Sequence, residues 1–178
     1  MINEIVKYDK EFTEGTFLTK ADHIFMMLLD AIMQKDISIV KHYLTDEVAS
    51  KYIKLIKEYS DKKIIRIFDE TNVKNSKITN VNIENDKINI TVKLNSRYMD
   101  YFINEDGDFI SGINDRRIEK EHIIVFTKNI DSKNLNEIRR CPYCGNSLDI
   151  NLTGKCPYCN QIIDMSKYDY IITKISTY

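Results

Sequence analysis

The chain has 178 residues, 43% of them hydrophobic and 30% charged, with a formal net charge of -1. That is enough for one medium domain with its own core plus a small module, and 5 Gly and 2 Pro are too few for a long disordered linker. The charge is poor for a generic nucleic-acid binder, no apolar run reaches the ~18 residues of a membrane span, and the opening Met1-Ile2-Asn3-Glu4-Ile5 is not a secretory signal.

Residues 1–18 leave two readings open, a frayed tail or a segment whose Phe12, Phe17 and Leu18 dock on the body. Thr19 and Asp22 predict a helix start, with the acid in the first turn. That helix runs to about Gln34. Phe25, Leu28, Leu29 and Ile32 form its stripe, and Ile24, Met27 and Ala31 widen it, so it is buried on more than one side. Met26, Met27 and Met33 either fill the core or line a soft groove. Asp36 caps a short helix through Tyr43, and Thr45 caps a third helix with Asp46 and Glu47 in its first turn. In that third helix Val48, Tyr52, Leu55, Ile56 and Tyr59 share one face, opposite lysines that face water.

Strand signals follow. Two strands are predicted at 63–69 and 74–84, then a turn at Asn85 and Asp86. Ile88, Ile90, Val92 and Leu94 alternate with polar residues, the signature of an antiparallel strand with one dry face, continuing toward Tyr98 and Tyr101. Residues 105–108 form a solvated turn, which 111–115 extend as loop. A strand at 117–128 and a closing one at 168–175 complete the pattern. Helices first and a strand meander second predict an α+β fold, with N-terminal helices packed on a curved antiparallel sheet. The division expected is 1–135 for this domain and 136–178 for a ribbon and closing strand.

All four cysteines lie in the last third, as Cys141-Pro142-Tyr143-Cys144 and Cys156-Pro157-Tyr158-Cys159. Two such knuckles can each give two thiolates to one tetrahedral zinc, and residues 147–154 between them read as a hairpin. Gly145 and Asn160, after each second cysteine, tolerate the positive φ of a tight turn around a metal. Disulfides would need an oxidising compartment, a thioredoxin-like redox pair would need a helix starting at the first cysteine, and an iron–sulfur or redox role is the remaining alternative to zinc. The expectation is therefore one structural Zn2+ on Cys141, Cys144, Cys156 and Cys159, in a site closed to water and in a reducing cytoplasm.

His23, His42 and His122 are far apart in sequence. His122 lies on the dry face of its strand and reads as a satisfied core histidine; the alternative is an acid–base residue near Asp100 or Asp115 in a cavity. No nucleophile elbow or phosphate loop is present. Arg116, Arg117, Arg139 and Arg140 are the basic pairs near the sheet and ribbon, yet residues 128–178 carry seven Lys/Arg against five Asp/Glu, and a four-thiolate zinc cancels that excess.

Taken together, Asp9, Phe12, Phe17, Leu18, Phe25, Ala31 and Asp36, then Tyr43-Leu44-Thr45-Asp46-Glu47, then Ile78-Thr79-Asn80-Val81, the strands near Tyr98 and 117–127, the two knuckles and the segment 168–175 resemble the Tim44-like domain family, in its bacterial form with a C-terminal zinc ribbon. Family members often carry Trp in such segments; this chain has none and places Tyr170 there. The resemblance implies a cone-shaped fold similar to the nuclear-transport-factor-2 and cystatin-like group. It also implies a scaffold role: the mitochondrial relative is a peripheral inner-membrane scaffold that tethers a chaperone to a protein translocase.

The functional expectation is a non-enzymatic adaptor, cytoplasmic or at the membrane periphery. Its partner is a protein or a second copy of the chain, engaged through a groove between the Phe25 helix and the sheet or through the ribbon's edge. Peripheral membrane contact is a weaker option, because residues 1–18 lack a basic amphipathic face. The alternatives are a small-molecule-binding protein or hydrolase/isomerase-type enzyme using the cone cavity, and a zinc-ribbon nucleic-acid-binding protein.

Overall fold

The structure, a computed structural model, describes residues 1–132, 140–148 and 154–178. Three α-helices, α1 (Ile2–Tyr8), α2 (Glu14–Met33) and α3 (Asp46–Asp61), pack on an open antiparallel sheet in the order β1-β2-β3-β4. The strands are β1 (Ile64–Glu84), β2 (Lys87–Asn104), β3 (Phe109–Asn129) and β4 (Ile171–Thr177). This is the α+β arrangement of helices first and meander second that the sequence pattern predicts.

Of the two readings of the N-terminal segment, docking on the body is the one the structure shows. Ile5 of α1 is completely buried, and Phe12 and Phe17 join the main core. Helix α2 starts five residues before Thr19, at Glu14, because Thr13 supplies the cap by accepting from the Thr16 N–H at 3.4 Å. Thr19 sits inside the helix, its hydroxyl donating to the Gly15 carbonyl at 2.9 Å. The physical reason is burial: Phe17, Ala21, Ile24, Phe25, Leu28 and Ile32 make one continuous stripe, and starting at Thr19 would lose the Phe17 anchor. Met26, Met27 and Met33 are half-buried against this core.

After α2 the chain makes two 3-10 turns, Ile37–Ile39 and Lys41–Tyr43, in place of one short helix. Asp36 caps the first, accepting from the Ser38 N–H at 2.9 Å. Thr45 caps α3 as expected, accepting from Val48. Val48, Ile56 and Tyr59 are buried on the predicted face.

The two strands predicted before Asn85 are one. Pairing with β2 jumps from Asp69↔Met99 to Asn72↔Arg97, with Glu70 at φ 49°, so a β-bulge bridges what looked like a break. Asn85 and Asp86 then both adopt positive φ, 51° and 57°, as a two-residue type I′ hairpin turn requires. Ile88, Ile90, Val92 and Leu94 are the expected dry face, each at most 1% exposed.

Residues 111–115, expected as loop, belong to β3. Tyr98 pairs with Ile118 and Asp100 with Ile113, so β3 advances five residues while β2 advances two. Gly112 makes this possible: at φ 107° an added Cβ would lie 2.5 Å from both the Asp100 carbonyl oxygen and the Tyr101 Cα. At the solvated turn Asn104 Oδ1 accepts from the N–H groups of Asp106 and Asp108 at 3.0 and 2.8 Å.

Strand β4 completes the sheet against β3 and meets the helical layer at its other edge. Ile172 bridges Leu44, and its carbonyl accepts from the Thr45 N–H at 3.1 Å. The expected boundary near residue 135 falls within 133–139, outside the described residues.

Candidate metal centre

The two knuckles repeat each other in hydrogen bonding as they do in sequence. Gly145 N–H donates to the Cys141 carbonyl at 2.9 Å, and Asn160 N–H to that of Cys156 at 2.9 Å. Cys141 N–H reaches the Asn146 carbonyl at 2.8 Å, and Cys156 N–H that of Gln161 at 2.9 Å. Short bridges, Arg140↔Ser147 and Lys155↔Ile162, close each knuckle. Gly145 and Asn160 take the predicted positive φ, 73° and 58°. Most of the hairpin expected between the knuckles, at 149–153, and Arg139 lie outside the described residues.

The repeat aims four sulfurs at one point. Cys141 and Cys159 Sγ are 3.7 Å apart, as are Cys144 and Cys156 Sγ, and all four lie within 4.8 Å of one another. A disulfide would bring a pair to ~2.05 Å. Tetrahedral zinc with Zn–S bonds of about 2.3 Å has an S–S edge of about 3.8 Å. Cys141 and Cys156 are buried; Cys144 is exposed. Four thiols so close cannot all ionise unaided. Burial raises Cys156, but the N–H groups of Cys159 and Tyr158 and the neighbouring thiols bring it down to about 7. The Gln161 N–H lowers Cys159, but burial and the other three thiols push it up to about 12. A divalent cation at the centre would relieve that conflict. These four residues could therefore hold one metal ion, and with four thiolates no position would remain for substrate or water.

The ribbon is seated on the body. Cys141 and Cys156 share a small apolar cluster with Leu148, Ile163, Met165 and Ile171, and Tyr43 and Tyr168 pack against it. Gly154, at φ 59°, rests on the His42 ring so closely that an added Cβ would be 2.2 Å from it. Lys155 Nζ donates to Ser38 Oγ at 2.8 Å. Tyr143 and Tyr158, the third residues of the two knuckle words, point the other way and are 58% and 64% exposed.

His122 is a core residue. It is 2% exposed, with Nε2 2.7 Å from Ser96 Oγ, Nδ1 2.9 Å from Thr177 Oγ1, and its ring 4.5 Å from that of Phe25. Burial, with help from Lys120, lowers it to about 4, so it is neutral at pH 7. Neither acid considered as its catalytic partner is with it. Asp100 accepts a bidentate pair from Arg66, both bonds 2.8 Å, and Asp115 faces Arg116 at the surface. Arg117 lies 3.5 Å from Glu70. The groove expected between the Phe25 helix and the sheet is closed, because Phe25 and Leu28 are each 1% exposed and meet the sheet directly.

A second polar cluster escaped the sequence reading. Asp9 Oδ2 accepts from Lys128 Nζ at 2.9 Å and from the Tyr170 hydroxyl at 3.2 Å, and Asp169 pairs with Lys20. Burial and the Asp9 carboxylate raise the Tyr170 hydroxyl, keeping it a donor. These partners are more than a hundred residues apart in sequence, so no local spacing could have shown them.

Among the described residues no helix is long and apolar enough to cross a membrane. Comparison with curated proteins gives no match. The Tim44-like domain family matches residues 1–138, most of the chain and the part that carries α1 to α3 and β1 to β3. With the fold and the clustered cysteines, this makes the chain a member of the Tim44-like domain family.

Proposed function

We propose that the protein is a non-enzymatic, protein-binding adaptor linked to protein transport, in which one structural zinc on Cys141, Cys144, Cys156 and Cys159 staples a ribbon to the Tim44-like domain. Family membership is the observation that carries the transport reading. The four-cysteine set supports a structural role for the metal, because four thiolates would leave no open coordination position on a tetrahedral ion. Residues 1–135 form the domain and 136–178 the ribbon and closing strand. The protein works in the cytoplasm or at the membrane periphery.

The ribbon's outer side is the partner surface. Tyr143 and Tyr158 are exposed rings held by short hydrogen-bonded turns, and rigid tyrosines lose little entropy on binding. The test is a pull-down from native extract with the full chain beside a Tyr143→Ala, Tyr158→Ala double variant. Capture of a translocase component or its chaperone by the first and not the second supports the proposal. Retention of nucleic acid alone, released by salt, overturns it.

A further inference from the structure

The second polar cluster stands over a cavity of about 420 Å³. It lies where the α1–α2 connection, the end of β3 and the residues before β4 come together. The floor is aromatic: the rings of Phe12, Phe17 and Tyr170 pack mutually at centroid distances of 5.3, 5.2 and 6.1 Å. The wall carries Lys20 and Lys128, with side chains 32% and 16% exposed, and their acids Asp169 and Asp9. Lys10 and Glu11, both exposed, also line the cavity and carry opposite charges.

The hydrogen-bonding capacity around this cavity is unbalanced. Asp169 has both oxygens in use, one on Lys20 and the other on the Tyr170 N–H, while Asp9 takes two donors on one oxygen. Each ammonium has three donors, and to the described side chains each gives one, to its own aspartate. The Ser132 hydroxyl, at the edge of the cavity, is buried with no partner among the described residues. The Ser132 hydroxyl can donate or accept, but the unused donors of the two ammoniums outnumber the one idle carboxylate oxygen, Asp9 Oδ1, so an acceptor suits the cavity. Burial and then Lys128 lower Lys20 to about 8, and a further anion between the two ammoniums would offset the repulsion from Lys128. The volume is at the low end of the ~300–1,000 Å³ of small-molecule sites, which suits a single ring or short branched chain.

We propose that this cavity binds an organic carboxylate whose body is aromatic or bulky aliphatic, the carboxylate meeting Lys20 and Lys128 and the body resting on the Phe12–Phe17–Tyr170 floor. Two sources share that chemistry, a free small acid and the C-terminal residue of a peptide. The inference is independent of the transport reading and of the ribbon's metal.

The experiment is isothermal titration of the full chain with 3-phenylpropanoate, with 3-phenylpropanamide as the uncharged control. A second pair is N-acetyl-Ala-Phe with a free or an amidated C-terminus. The acids are expected to bind and the amides to bind at least about tenfold more weakly. Lys20→Met and Lys128→Met should each weaken the acids about tenfold or more, and Lys54→Met, on the exposed side of α3, should not. Should a lysine variant fail to fold, Thr16→Trp serves instead: Thr16 is an exposed lining residue of α2, and an indole there fills the cavity and should abolish binding. Tighter binding of the peptide acid assigns the site to a chain terminus; equal or tighter binding of phenylpropanoate assigns it to a free acid. No heat from either acid at millimolar concentration, equal affinity for acid and amide, or binding that survives Thr16→Trp overturns the proposal.

Discussion

Replacing His122 with Gln tests whether this imidazole is held neutral in the core. In the fold it touches two hydroxyls and two aromatic rings, and among the described residues no carboxylate stands within hydrogen-bond reach. Its pKa falls from 6.5 to about 4. The unfolded chain therefore takes up a proton that the folded chain refuses as the pH falls. Stability is fully present above the unfolded value of 6.5 and is lost on acidification toward the folded value of about 4. Integrated between about pH 7 and about pH 5, one such histidine costs about 2 kcal/mol. His42, also lowered to about 4 by burial and then by Lys20 and Lys155, adds a similar loss. The chain has no Trp, so urea unfolding is followed by far-ultraviolet circular dichroism at the two pH values. His122→Gln should be less stable than the parent at neutral pH, having lost one of two hydroxyl contacts, at about 1 kcal/mol. Its further loss on acidification should be smaller than the parent's by about 2 kcal/mol. Carboxylates and thiolates titrate alike in both proteins and cancel in that difference. An acid loss of equal size in the two proteins would refute the reasoning, because His122 would then titrate as it does in the unfolded chain.

Phe25→Ala, at a ring 1% exposed and tilted against His122 at 4.5 Å between centroids, should cost about 3–5 kcal/mol, read as a lower urea midpoint with an unchanged slope. Gly112→Ala should cost about 2 kcal/mol or more, since both its φ and the backbone of Tyr101 oppose a Cβ; a thermal melt matching the parent would mean that β3 can slide away from β2. Protein purified under reducing conditions should carry about one zinc per chain by elemental analysis, and Cys156→Ser should lose most of it. In that variant, limited proteolysis should open the segment around 141–159 while the sheet signal persists, because β1 to β3 pair without help from the ribbon. A ribbon equally protected without metal would sink the structural-zinc reading.

What could be read from the sequence was local. The knuckle words, the Asp36 and Thr45 caps, the Asn85–Asp86 turn and the alternation of Ile88, Ile90, Val92 and Leu94 each depend on residues a few positions apart, and each stands in the structure as expected. A β-bulge hides in such a reading, because Glu70 and Gly112 look like breaks until a partner strand supplies the pairing around them. The start of α2 was misplaced for a related reason. Gly15 weakens the local helix signal, and only the packing of Phe17 on Phe126 and Tyr170 carries the helix back to Thr13. The Lys20, Asp169, Asp9, Lys128 and Tyr170 cluster is wholly tertiary. Its pairs span 149, 119 and 161 residues, and what brings them together is the closing of β4 beside β3 under the N-terminal helices.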